Sequence, residues 1–160
     1  MINKHLTRDE FAKLTDNQKN YALRYQRLDW LSRVDFDKLT DYQKGFAINQ
    51  PCCDKSMAEK YTEVETYAQQ HNLKIDAEYL YAYRNHSFWG GGIYRKFELY
   101  QPGVYYRDWH CDMRPREENS FGFGIWPKGN TPVRVKIEDW GVAVKRNDGK
   151  ARVWGFEMMI

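Results

Sequence analysis

A duplication constrains this chain more than any other feature. Residues 6–23 and 31–48 align at an offset of 25, and ten of the 18 positions are identical. The shared frame is Leu-x-Arg-x-x-Phe-x-Lys-Leu-Thr-Asp-x-Gln-Lys-x-x-Ala, and Asp29 and Asp54 also fall in register. So close a repeat over so short a window marks one structural unit used twice. Phe11 and Leu14, three apart, belong to a short first helix. Thr15 caps a second helix, with Gln18 closing a capping box, and Thr40 and Gln43 do the same in the second copy. Tyr21, Ala22 and Tyr25 are expected to pack on Phe11 and Leu14, and Phe46 and Ala47 on Phe36 and Leu39. Each copy is then a helical hairpin too small to bury its own apolar face, so the two stack. Pro51 ends the second copy, because the residue before a proline avoids helix. Lys13, Lys19, Lys38 and Lys44 recur at matching places. Asp9, Asp16, Asp35 and Asp41 interleave with them, which points to a solvated mixed face rather than a phosphate track.

A third helix follows. Ser56 and Glu59 read as a further capping box, Met57, Tyr61, Val64 and Ala68 form a stripe at helical spacing, and Asn72 is the stop. From Ile75 the period changes. Tyr79 to Tyr83 alternates as a strand, and Ile93 to Tyr100 reads as a two-faced strand. Gln101-Pro102-Gly103 turns the chain into a strand over Val104 to Trp109. Phe121 to Ile125 is a short apolar run, a strand or a buried loop, and Val133 to Ile137, Val142 to Val144 and Ala151 to Met158 complete the strands. Arg146-Asn147-Asp148-Gly149 is a hairpin signal between the last two. The expected fold class is α+β. An N-terminal helical repeat and a third helix precede a mostly antiparallel, aromatic-rich β-sheet of about six or seven strands. The expected divisions are 1–54 for the duplicated hairpins, 55–73 for the helix and 74–160 for the β-rich domain.

The totals exclude several classes. With 25 basic and 22 acidic residues the formal net charge is +3, too balanced for a nucleic-acid mimic and too weakly basic to establish nucleic-acid binding. No run approaches the ~20 apolar residues of a membrane span, so no membrane partner is expected. Met1-Ile2-Asn3-Lys4-His5 opens no secretory leader. Three cysteines, an odd number, argue against a secreted disulfide framework, and a reduced, cytoplasmic setting is expected.

The richest stretch for chemistry runs from Glu78 to Trp126. It contains the run Trp89-Gly90-Gly91-Gly92 and the polar cluster Asp108-Trp109-His110-Cys111-Asp112. His110 and Asp112 share a face if the segment is a strand, and with Glu117 and Glu118 or His86 they are the candidates for catalysis or metal binding. Cys111 then points away from His110 and is not activated by it. The plainer reading of all four is an ordinary hydrogen-bonded or solvated set, with no ligand spacing that repeats and no metal expected. A nuclease-type Glu-x-Lys strand is absent, since Arg134 stands two before Lys136. The triple glycine lacks both the Gly-Lys-Ser/Thr ending and the GxGxxG spacing of phosphate loops, so no cofactor is expected. It reads instead as a hairpin tip flanked by Arg84, His86, Phe88, Trp89, Tyr94 and Arg95. Cations mixed with aromatics can anchor a protein interface or stack nucleic-acid bases; the alternative is that several of the rings fill the core.

From Lys96 onward the order of features resembles a family of uncharacterised proteins of tailed bacteriophages. The shared pattern is Pro102-Gly103-Val104-Tyr105-Tyr106, then His110-Cys111, Ser120-Phe121-Gly122, Val133-x-Val135 and Gly149-Lys150-x-Arg152-Val153. The helical repeat is similar to short Leu-Thr-x-x-Gln-Lys units of small phage proteins. The resemblance carries no catalytic residues. It implies a phage-type accessory protein, and many of these bind a host protein, anti-CRISPR-like inhibitors of bacterial defence among them. The leading expectation is therefore a non-enzymatic protein that binds and blocks a host or defence macromolecule. An enzyme acting on a nucleotide or nucleic acid through His110, Asp112, Glu117 and Glu118 is the second, and a single-stranded nucleic-acid-binding protein the third.

Overall fold

A computed structural model of the chain describes residues 6–85, 100–108, 110–117, 121–145 and 149–159. The fold is α+β, with the helices mostly N-terminal and the strands C-terminal. The chain divides into two compact units, Met1–Asp54 and Lys55–Ile160.

The first unit contains α1 (Arg8–Ala12), α2 (Asp16–Tyr25), α3 (Arg33–Asp37) and α4 (Asp41–Ala47). Helices of this length are not stable alone, so their ends and their packing hold them. All four begin with a reciprocal capping box: Thr7 with Glu10, Thr15 with Gln18, Ser32 with Asp35, and Thr40 with Gln43. A capping side chain of this kind is typically worth about 1 kcal/mol. Phe11, Ala22, Leu23, Leu28, Leu31 and Ala47 form the buried core, with Leu14, Phe36, Leu39 and Phe46 packed around it. Tyr21 does not join them as the sequence predicts; it is exposed, its ring 4.8 Å from that of Tyr25.

Residues outside the repeat frame tie the two copies together. Trp30 donates its indole N–H to the Leu6 carbonyl at 2.7 Å. Gln50 is fully buried. Its side-chain amide donates to the carbonyls of Leu23 (2.7 Å) and Gln26 (2.6 Å), and its oxygen accepts from the Leu28 amide (2.9 Å). It thus closes the otherwise open C-terminal end of α2.

In the second unit α5 (Met57–His71) lies against the strands and ends at Asn72, whose left-handed conformation (φ 55°) forms the cap. Asparagine is one of the few residues besides glycine that adopts this conformation readily. The helix buries Lys60, Val64, Tyr67 and Ala68. The expected stripe is therefore rotated: Val64 and Ala68 are inside, but Met57 and Tyr61 face solvent. Lys60 and Tyr67 replace them because their polar tips find acceptors, the carbonyls of Glu138 and Gly149 respectively, while their stems pack. At the start of α5 the Ser56 hydroxyl accepts from the Glu59 amide. The return half of the expected box is absent: Glu59 bonds the Ser56 hydroxyl instead of the backbone.

Seven strands are present among the described residues: β1 (Tyr79–Arg84), β2 (Tyr105–Arg107), β3 (Phe123–Ile125), β4 (Thr131–Lys136), β5 (Trp140–Ala143), β6 (Ala151–Val153) and β7 (Gly155–Met158). They form two antiparallel sheets, ordered β1-β4-β7-β2 and β3-β6-β5. The sequence reads Ala151 to Met158 as one strand, but Trp154 interrupts it. The chain leaves one sheet there and enters the other, with the Trp154 amide on the Asp139 carbonyl at 2.7 Å. Gly155 makes the crossing possible, since a Cβ there would lie 2.7 Å from both the Tyr105 ring and the Tyr106 carbonyl. Tyr83 and Trp126 exchange backbone bonds of 2.9 and 2.8 Å, which joins β1 to the end of β3. The core between these elements includes Leu80, Phe123, Ile125, Val133, Val135, Trp140 and Phe156. The strand expected over Ile93 to Tyr100 lies almost wholly outside the described residues. No helix among the described residues is long and apolar enough to cross a membrane.

Candidate functional site

The catalytic candidates lie in the segment after β2, which belongs to no strand over residues 110–114. The strand expected to place His110 and Asp112 on one face is therefore absent there. Both are fully buried. The His110 ring packs on Phe121 with centroids 5.2 Å apart, and Cys111 is sealed with Met113 and Trp154 in a small apolar cluster. The Asp112 carboxylate is gripped by Arg114, with Nη2 at 2.6 Å and Nε at 3.0 Å, and also accepts from the Arg114 amide at 2.9 Å. Glu117 reaches the same guanidinium at 3.5 Å, so the structure does bring Asp112 and Glu117 to one cation. Glu118 lies outside the described residues.

Arg152 on β6 holds this segment from within. Its Nε donates to the Asp112 carbonyl at 2.6 Å, Nη1 to that of Glu117 and Nη2 to that of Arg114, both at 2.8 Å. Burial lowers its pKa from the ordinary arginine value, and the charge of Asp112 opposes that shift. One guanidinium thus replaces the strand partner that the segment lacks, satisfying three carbonyls. The arrangement positions a loop. A general acid or base must touch its substrate, whereas both oxygens of Asp112 are committed to Arg114 inside the fold. Among the described residues no three His, Cys, Asp or Glu side chains are grouped so that they could hold a metal ion.

Of the binding candidates, Arg84 is the one the structure describes. It is turned inward, 8% exposed, with its guanidinium 4.6 Å above Phe156 and 5.5 Å from both Tyr100 and Phe123. It donates to the Gly124 carbonyl at 2.7 Å. It sits at the inner parity of β1 with Leu80 and Ala82, so it fills an aromatic box instead of displaying its charge. His86, Phe88, Trp89, Tyr94 and Arg95 lie outside the described residues.

A different surface emerges from the sheet register. In antiparallel pairs directly opposed residues share a face. Tyr79 opposes Lys136 and Tyr81 opposes Arg134; Arg134 and Tyr105 both oppose Glu157. The inner residues Leu80, Ala82, Val133, Val135 and Phe156 are buried, so the tyrosine and cation side is the outer one. Cations cap its rings: Arg134 lies 4.2 Å over Tyr79, Lys74 4.9 Å over Tyr81 and Lys136 4.7 Å over Tyr105. At the β2 edge Asp139 anchors the face, accepting from the Tyr105 hydroxyl at 2.7 Å and from Arg107 at 2.9 Å. Burial, then the bond to Asp139, raises the Tyr105 pKa well above the ordinary tyrosine value, so its ring stays neutral. Sequence periodicity gives the alternation on β1 and on β4 separately. Only the pairing of the two strands shows that their polar sides form one surface.

In comparisons with known proteins, no family model, no curated protein and no solved structure matches this chain.

Proposed function

We propose that this chain is a non-enzymatic, phage-type accessory protein that binds and inhibits a host or bacterial-defence macromolecule. Its contact surface is the outer face of the four-stranded sheet. The observation that carries the reading is the row of Tyr79, Tyr81, Arg134 and Lys136 on the outer side of β1 and β4. Tyrosine and arginine are the residue types that most often dominate protein interfaces, and a strand scaffold holds them with little entropy left to lose on binding. The catalytic alternative is weakened by the fate of His110 and Asp112, both fully buried.

A second reading, single-stranded nucleic-acid binding, is favoured by the same alternation of rings with cations. Base stacking on an aromatic ring is worth about 1–3 kcal/mol. The two readings part on salt, because phosphate contacts release counterions and a protein interface does so far less. The test is affinity capture from a bacterial lysate with the intact chain and with the double variant Tyr79→Ser/Arg134→Ser. A specific protein should be recovered by the parent and lost, by tenfold or more, by a variant with an unshifted melting curve. Undiminished capture by the folded variant refutes the face. Recovery of nucleic acid alone, falling steeply between 50 and 200 mM salt, replaces the first reading by the second.

A further inference from the structure

Cys52 and Cys53 are neighbours in sequence and also at their sulfurs. In extended chain, adjacent side chains point to opposite sides. Here Pro51–Cys53 forms a 3-10 turn, closed by the Cys53 amide on the Gln50 carbonyl at 2.9 Å and the Asp54 amide on the Pro51 carbonyl at 3.0 Å. The turn brings the two Sγ atoms to 3.8 Å. The thiols are half-buried and free of any disulfide: Cys52 packs on the helical core, and the Cys53 Sγ lies 3.5 Å from the Ala47 carbonyl. Two sulfurs bound to one atom at ~2.3 Å stand ~3.8 Å apart at a tetrahedral angle and ~3.4 Å apart at the pyramidal angle of about 95°, a difference that side-chain rotation covers. The pair is therefore spaced to bridge a single atom without moving the backbone.

We propose that Cys52 and Cys53 form a two-sulfur site for a soft, thiophilic centre of low coordination number, with trivalent arsenic as its representative. The class follows from what surrounds the pair. Structural zinc takes four protein ligands, yet among the described residues no third His, Cys, Asp or Glu is grouped with these two. Two thiolates with no imidazole or carboxylate grouped with them select soft ions. Closing a disulfide would require the sulfurs to approach from 3.8 Å to about 2.05 Å across one peptide unit, whereas binding a bridging atom requires no such movement. This inference is independent of the proposed function.

Phenylarsine oxide is the probe. Its arsenic forms two As–S bonds, the As=O bond breaks, and the oxygen leaves as water with the two thiol protons. Arsenic stays trivalent and no electron is transferred. The intact, reduced chain should take up one equivalent, and its titratable thiols after denaturation should fall from three to one. A bidentate adduct should also need at least a hundredfold more monothiol for its release than a one-sulfur adduct, the usual gain from a linked second bond. Cys52→Ser and Cys53→Ser should each lose this resistance, and Cys111→Ser should keep it. An adduct that ordinary monothiol removes from the parent chain overturns the site, as does one that survives intact in Cys52→Ser. The measurement on the parent alone decides the matter if a variant fails to fold.

Discussion

Replacing Arg152 by methionine tests whether one buried guanidinium holds the segment that carries His110, Asp112 and Glu117. The side chain is 1% exposed and makes three bonds, of 2.6, 2.8 and 2.8 Å, to carbonyls of that segment. Hydrogen bonds to a charged group are each worth about 1.5–3 kcal/mol, which gives roughly 5–9 kcal/mol of gross interaction. Against this stands the burial of the charge, which costs several kcal/mol; the lowered pKa of Arg152 has the same origin. Methionine relieves that cost and fills much of the space, but it leaves three carbonyls without their donor. The expected net loss is about 3–5 kcal/mol, the range for breaking a buried charged network on one side. For a unit of this size it lowers the melting temperature by roughly 10–25 °C. Urea unfolding of the full chain, followed by tryptophan fluorescence, reads the loss. Hydrogen exchange should locate it, with amides of 110–117 losing protection before those of β4 and β7. Arg152→Lys keeps the charge but not the fork, so it should fall between parent and methionine variant. A methionine variant within 1 kcal/mol of the parent, with unchanged exchange at 110–117, refutes the reasoning.

Two further outcomes follow from the helical unit. Gln50→Leu keeps the volume but removes three buried bonds, so this unit should lose about 3 kcal/mol; helical circular dichroism during thermal unfolding measures it, and a loss under 1 kcal/mol counts against Gln50 as the joint between the copies. Asp35 has its pKa held below the ordinary carboxylate range by the bond from Arg8 first, then by the Ser32 backbone and hydroxyl. A depressed folded pKa means that its contribution is complete above the unfolded value of about 3.9 and disappears as pH falls below it. The parent should therefore lose stability between pH 5 and 2 more steeply than Asp35→Asn, and coincident acid titrations would refute the assignment.

What the sequence shows and what it hides divides by range. A helix start is a local event, so Thr15 with Gln18 and Thr40 with Gln43 are legible as caps from four residues each. The boxes at Thr7 and Ser32 carry the same kind of signal one helix earlier. The rotation of α5 is less legible, because it depends on acceptors at Glu138 and Gly149, more than 70 residues away. Buried arginines are harder still, since charge by default belongs at the surface. Parity nevertheless marks Arg84, two positions from Ala82 and four from Leu80 on β1. No parity marks Arg152, which is buried together with Ala151 and Val153 on either side. The outer sheet face lies beyond periodicity altogether, because one residue of slip between β1 and β4 would turn its rings to the opposite side.

The duplication carries a related lesson. Arg8 and Arg33 occupy the same place in the repeat, yet they act differently. Arg8 reaches Asp35 of the other copy at 2.9 Å, donates to the Trp30 carbonyl and stacks 5.3 Å over the Trp30 ring. Arg33 stays within its own helix, 3.7 Å from Asp37 and 4.9 Å over Phe36. The difference arises because the first copy is followed by a second, while no third copy follows to present an equivalent of Asp35 to Arg33. Identity at a repeat position therefore specifies local structure, the caps and the short helices. Apart from the Arg8–Asp35 bridge, the joints are built where the copies differ: Trp30 and Gln50 have no counterpart of the same type 25 residues away, and they carry further bonds that make two marginal hairpins into one unit. In a chain of this kind the positions that break the repeat are the ones to mutate first, because their loss separates the copies while leaving each helix its own cap.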